Sequence, residues 1–199
     1  MPEIVTSVNA PMIALPTPQL DNTFTLAGAL QKRQTNREFS AQALSHEILS
    51  AILWCAFGVN RPQSGGRTAP SARNWQEIDV YVVMSEGTYR YEAREHALSL
   101  VLSADLRAAT GTQDFVGVAP LNLVYIADFD KMTDTTPERR ILYSAADTGM
   151  IVQNVYLYCA ALGLACVVRG LVDRDKLKSV LGLRTSQQII LAHTVGYAK

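Results

Sequence analysis

The stretch Thr136 to Gly163, TPERRILYSAADTGMIVQNVYLYCAALG, constrains everything around it. Thr136 followed by Pro137 is an N-cap and first-turn pair, Glu138 suits the positive end of a helix dipole, and Gly163 is a natural stop. From Leu142 onward the residues are apolar or small nearly all round, with Ala145, Ala146, Gly149, Val152, Val155 and Ala160 among them. A helix without a polar face is covered on every side, by its own core or by another subunit. Strand-like runs flank it: LNLVYIAD at 121–128 before it, LACVV at 164–168 directly after it, and QQIILAHTVGY at 187–197 near the end.

Working outward, DRDKLKSVLG predicts a short helix opened by Asp173 and closed by Gly182. Upstream, Leu44 and Ser45 read as a hydrophobic staple and N-cap for a helix whose apolar face is Ile48, Leu49, Ile52, Leu53 and Ala56, ending at Gly58. Thr25 caps a shorter helix from Leu26 to about Lys32. A strand from Ile78 to Met84 turns at Glu86 and Gly87 into TYRYE, and Arg94 to Leu102 reads as a helix. Residues 59–76 read as one long polar loop, a kind that is functional or disordered inside a compact domain. Residues 1–24, with Pro2, Pro11, Pro16 and Pro18, read as an extended arm of the kind that packs on a partner. The expectation is an α+β fold, a sheet sandwiched by helices, in a single domain over 25–199.

The 199 residues suffice for one core. Lys plus Arg and Asp plus Glu balance at 18 each, so no global field draws the chain to nucleic acid or an anionic membrane. The apolar runs are too short for a membrane span and the N-terminus lacks a signal peptide, which gives a cytoplasmic expectation, although a trimmed exported precursor would look the same. Cys55, Cys159 and Cys166 are odd in number and lie in apolar runs, as buried thiols do. His46, His96 and His193 make no metal-ligand spacing with them, so no metal is expected.

Within that neutral chain, KRQTNREF at 32–39 concentrates positive charge. As a helix it would set Arg33 and Arg37 about 6 Å apart and turn Thr35 away. Extended, it points all three one way with the arginines about 13 Å apart, a grip for an elongated ligand carrying negative charge at one end. A solvated turn with the arginines paired to Glu38 or Glu47 is the other reading. PSARNWQ at 70–76 offers Ser71 and Asn74 on a backbone fixed by Pro70, suited to a polar ring or chain, or else is a plain turn into a strand. VVRGLVD at 167–173 stops a strand at Arg169 and frees space at Gly170 for a flat ligand, or is an ordinary β-to-α turn.

These three segments, in this order and at these intervals, resemble the nitroreductase family of FMN-dependent oxidoreductases, and its compact branch with SagB-type dehydrogenase domains in particular. The Arg-x-Ser-x-basic pattern is similar to Arg33, Thr35 and Arg37 followed by Phe39; PSARN resembles the Pro-Ser loop; SAADTGMIVQNVYLYCAALGLA resembles the central helix; VVRGLVD resembles the segment over the flavin. The resemblance implies a mainly antiparallel sheet, a homodimer and one FMN in each of two pockets at the subunit interface. It implies Arg33 at the phosphate, Thr35 near phosphate and ribityl chain, and Arg37 at the pyrimidine edge, stabilising the reduced flavin. It further implies Pro70, Ser71 and Asn74 from the other subunit, main-chain N–H of Arg169 or Gly170 at N5, and added contacts from Gln113 and Lys199. Gln34 stands where a second basic residue is common, and Thr35 replaces the more frequent Ser. The implied chemistry is ping-pong transfer from NAD(P)H to a nitroaromatic, quinone or similar acceptor, with no covalent side-chain catalyst. The alternatives are azoline oxidation, which needs a Lys and Tyr pair that the sequence does not clearly supply, or a flavin-binding dimer without turnover.

Overall fold

The computed structural model describes residues 12–21 and 23–199. Its centre is a seven-stranded sheet: β1 (Met12–Ala14), β4 (Ile78–Met84), β5 (Gly87–Glu92), β6 (Ala97–Leu102), β7 (Leu121–Asp128), β8 (Leu164–Arg169) and β9 (Gln187–Tyr197). The spatial order is β1-β6-β5-β4-β7-β9-β8 and every neighbouring pair is antiparallel. The helices are α1 (Leu26–Lys32), α2 (His46–Phe57), α3 (Pro137–Leu162) and α4 (Arg174–Val180).

Period-2 alternation explains why helices cover both faces. On β4, Val80 and Val82 join the core under α2 and α3, whereas Tyr81 and Val83 join a second core with Leu177 and Leu181. β7 divides the same way: Leu121, Leu123 and Tyr125 on one side, Val124 and Ile126 on the other. All eight β7 residues are buried, which is why that run is mostly apolar, broken only by Asn122 and by Asp128 at its end. The caps fall where the sequence places them. Thr25, Ser45, Thr136 and Asp173 each accept a main-chain N–H from the first turn, and Gly163 closes α3 in the left-handed region at φ 71°.

Two expectations are corrected. Arg94 to Leu102 is not a helix: after a turn, Ala97–Leu102 forms β6 and pairs with β5. The demand of β5 for a partner outweighs the helical propensity of Ala and Leu, since an unpaired sheet edge leaves its amides and carbonyls unmatched. Residues 59–76 are not one long loop, because Val59–Arg61 and Gly66–Arg67 pair as a short hairpin, β2 and β3, followed by a 3-10 turn at Ala72–Asn74. Of the proposed arm, residues 1–11 and 22 lie outside the described residues; Met12–Ala14 adds to the chain's own sheet at β6, with the Leu15 N–H donating to the His96 carbonyl at 3.0 Å. No helix of the described residues is long and apolar enough to cross a membrane, and no three His, Cys, Asp or Glu among them gather as a metal site would require.

Candidate functional site

Residues 33–38 leave α1 without a helical turn and run beside the edge strand β8, with the Asn36 N–H donating to the Cys166 carbonyl at 3.0 Å. Phe39 then bridges Ala198, and the Lys199 N–H donates to the Glu38 carbonyl at 3.2 Å, which brings Lys199 to the Arg37 end of the segment. Arg33 is half-buried; Thr35 and Arg37 are exposed. Among the described residues neither arginine forms an ion pair, so the pairing with Glu38 or Glu47 is absent there.

Tyr156, on α3, ties this segment to the third motif. Its ring lies 5.4 Å from the Arg33 guanidinium, its hydroxyl is 3.1 Å from Thr35 Oγ1, and the same oxygen accepts the Val168 N–H at 2.9 Å. The ordered phenol therefore places the arginine segment against the end of β8, one residue before Arg169.

Arg169 turns its side chain into the protein rather than toward solvent. The guanidinium is buried and donates to Thr194 Oγ1 (2.9 Å), the Thr110 carbonyl (2.8 Å), Thr110 Oγ1 (3.3 Å) and Asn122 Oδ1 (3.0 Å). No carboxylate pairs with it among the described residues, and burial lowers its pKa to about 10, still protonated at neutral pH. Asn122 carries the network on to the Val116 carbonyl at 2.9 Å. Two 3-10 turns, Arg107–Thr110 and Asp114–Gly117, are thereby fixed to the sheet. Between them Gln113 keeps a buried Oε1 with no partner among the described residues. His193, fully buried beside Arg169 and bonded to the Tyr125 hydroxyl at 3.2 Å, has its pKa lowered to about 3 by burial and by the Arg169 charge, so it is neutral at physiological pH. Gly170 is exposed, and a Cβ there would meet nothing closer than Leu191 Cδ2 at 3.9 Å, so space is open in front of it.

The Pro-Ser loop is built differently. Arg73, Asn74 and Gln76 have φ of 52°, 56° and 49°, left-handed positions uncommon for residues other than glycine, with Trp75 between them right-handed at φ −64°. Ser71 Oγ accepts the Gln76 N–H at 3.0 Å; Gln76 Nε2 donates to the Gly65 carbonyl and to Asn74 Oδ1, both at 3.0 Å; and Gln76 Oε1 accepts from Arg67 Nε at 3.0 Å. Asp147 on α3 accepts the Ala72 N–H at 2.8 Å. Beside it lies Glu77, whose carboxyl is pushed up to about 7 by burial and by the Asp147 charge. Pro70 and Asn74 are exposed at the rim.

The two groups of candidate residues lie apart in the chain. Asp147 and Tyr156 stand nine positions apart on α3, about 13 Å along its axis and on opposite faces. Arg33, Thr35, Lys199 and the Arg169–Gly170 corner lie on the Tyr156 side, and Pro70 to Asn74 on the Asp147 side. Sequence reasoning missed Tyr156, Asp147 and Glu77. Asp147 carried a signal, since it is the one charged residue between Leu142 and Leu162.

A model of the nitroreductase family matches residues 30–197. A nitroreductase homologue of Methanocaldococcus jannaschii is 30% identical over 169 residues, covering 80% of this chain and 85% of that protein. This chain belongs to the nitroreductase family. Among solved structures, a nitroreductase of Ralstonia eutropha is 43% identical with a TM-score of 0.91, covering 100% of this chain and 95% of that one. A nitroreductase of Desulfovibrio desulfuricans, solved in complex with FMN, has a TM-score of 0.64 at 20% identity, covering 87% of this chain and 86% of that one; this likeness is one of fold. As a nitroreductase, the chain has α+β layering, and two 3-10 turns stand between β6 and β7.

Proposed function

We propose that this nitroreductase is an FMN-dependent oxidoreductase acting as a homodimer, with one cofactor in each of two pockets between subunits. The observation that carries the reading is the Arg33–Thr35–Tyr156–Val168 cluster: a cation and a hydroxyl, held by an ordered phenol, beside an open strand end. Arg37 and Lys199 extend its positive charge along the same edge. These donors fit an elongated anion with a flat, polar far end, and the unpartnered Gln113 Oε1 offers a further acceptor for a cofactor N–H.

Bound FMN would supply a two-electron carrier, reduced by NADH or NADPH and re-oxidised by a nitroaromatic, quinone or similar small acceptor in alternating half-reactions. Arg33 would hold the phosphate by charge-assisted bonds, and Thr35 would bridge phosphate and ribityl chain. Arg37 would face the pyrimidine edge, where its fixed charge stabilises the negative charge gained on reduction. Main-chain N–H at Arg169 or Gly170 would meet N5.

The second copy follows from two features. The Pro70–Asn74 loop stands on the far side of α3 from the arginines, so in this reading a partner's copy of the loop would complete the pocket. In addition, Leu142 (64% exposed), Ala145, Ala146, Gly149 and Met150 form an open apolar stripe on α3, with Leu26 and Leu30 exposed on α1. Such a stripe is ordinarily buried against another chain. Light scattering of the purified protein should give twice the mass of one chain. Anaerobic NADH or NADPH should bleach the bound flavin, and an added quinone or nitroaromatic should restore its colour. A monomer without bound flavin would overturn the reading.

A further inference from the structure

Glu77 is fully buried, yet neither of its carboxyl oxygens meets a partner at full hydrogen-bond geometry among the described residues. The titratable group facing it among the described residues is Asp147, 3% exposed, from α3. Among the described residues no Lys or Arg forms an ion pair with either carboxyl. Lys131, from the turn after β7, is taken by Asp79 at 2.6 Å; Asp128 approaches only through its N–H, 2.9 Å from the Glu77 carbonyl; and Arg73, in the loop itself, reaches away to the Asp134 carbonyl at 3.0 Å. Ser144 donates to Met132 Sδ at 3.5 Å, and its hydroxyl also approaches the Glu77 carboxyl, which tempers the rise that burial and Asp147 impose. Two carboxylates cannot both stay ionised in so dry a place, but one proton between them removes the conflict.

The arrangement has a direction. Asp147 Oδ2 already accepts the Ala72 N–H, a bond that favours its ionised form, so the proton belongs on Glu77, which can then donate to Asp147. The chain of contacts runs from Glu77 through Asp147 to Ala72, the residue just before the left-handed Arg73 and Asn74. We infer that the Glu77–Asp147 pair shares one proton and acts as the latch that holds the Pro70–Gln76 loop in its cofactor-binding shape, so that losing the proton loosens the loop and weakens cofactor retention. Glu77 and Asp147 are then positioning residues. The cofactor part of this inference rests on the FMN reading above; the latch itself does not.

The sign follows from linkage. Glu77 holds its proton more tightly in the closed state (up to about 7) than in an opened, hydrated one (4.5), so the closed loop is fully favoured below 4.5 and loses that advantage as pH rises toward 7. Above 7 both states are ionised and the effect levels off. The test is amide exchange by NMR at Ala72 and Gln76 in the full, FMN-free protein between pH 5 and 8, corrected for intrinsic exchange, with Glu77→Gln alongside. Wild-type protection should fall by up to tenfold per pH unit to pH 7 and then flatten, while the uncharged Gln keeps it level. Constant wild-type protection, or an equal fall in E77Q, overturns the latch. FMN titrations over the same range decide the coupled claim: the wild-type to E77Q ratio of dissociation constants, in which the ionisation of FMN itself cancels, should rise at least tenfold from pH 5 to 7. A ratio that stays constant overturns the link to retention. A protein that takes up FMN at no pH overturns the cofactor reading, and the exchange data still decide the latch.

Discussion

Replacing Arg169 with Met should destabilise the fold by about 3 kcal/mol, and the figure can be built from its contacts. The guanidinium makes four hydrogen bonds in a fully dry setting. Met matches much of the stem's volume, so packing loss is small. Thr194 and Asn122 keep a bond to one another at 2.6 Å, and Thr110 Oγ1 still donates to the Arg107 carbonyl at 2.8 Å. The Thr110 carbonyl loses its Arg169 donor at a cost of about 1 to 3 kcal/mol, and the lost charge-assisted bonds add to this. Relief of the buried, unpaired charge offsets part of the sum. For 199 residues, with an unfolding entropy of about 2.1 cal/mol/K per residue, 3 kcal/mol lowers the melting temperature by about 7 °C. Calorimetry of the variant reads this directly, and limited proteolysis should show cleavage moving into 107–117. A melting temperature within 1 °C of wild type, with unchanged cleavage, would refute the claim that Arg169 clamps these turns.

The same clamp makes Gly111 irreplaceable: a Cβ there would lie 2.0 Å from Arg169 Nη1, so Gly111→Ala should lower the melting temperature at least as far as R169M, and adding R169M to it should cost little more. Arg33→Ala should weaken FMN binding by about 1.5 to 3 kcal/mol, roughly 10- to 100-fold in fluorescence titration, whereas Arg37→Ala should retain the cofactor and lower its reduction potential. His193 holds a folded pKa near 3 against 6.5 when unfolded, so its stability contribution is complete above pH 6.5 and is lost as pH falls toward 3. Acid melts of His193→Gln should therefore decline less steeply below pH 6 than those of wild type.

Local signals carried most of the fold. Every helix N-cap and five of the central strands could be read from short-range chemistry, because Thr136-Pro137, Ser45 and Gly163 act through neighbours in sequence. β6 could not, since Ala97 to Leu102 is a strand only because β5 lies beside it. The site divided the same way. Alternation in KRQTNREF drew attention to Arg33 and Thr35, yet Tyr156, which contacts both, is 121 residues from Thr35 and looks like core. The Pro-Ser loop was legible as a turn, but its left-handed strain and its hold on Asp147, 75 residues beyond Ala72, arise from tertiary contact. Arg169 drew notice for its main chain, whereas its side chain turned out to organise the 107–117 segment through partners in β7 and β9.

The central claim is tested most directly by equilibrium dialysis of the purified chain against FMN, followed by its visible spectrum. The account predicts one tightly held FMN per chain with a protein-shifted flavin spectrum, and a stoichiometry that collapses in an Arg33→Ala, Arg37→Ala double variant that still melts cooperatively. A wild-type protein that stays colourless, or a double variant that binds FMN as well as wild type, would contradict it.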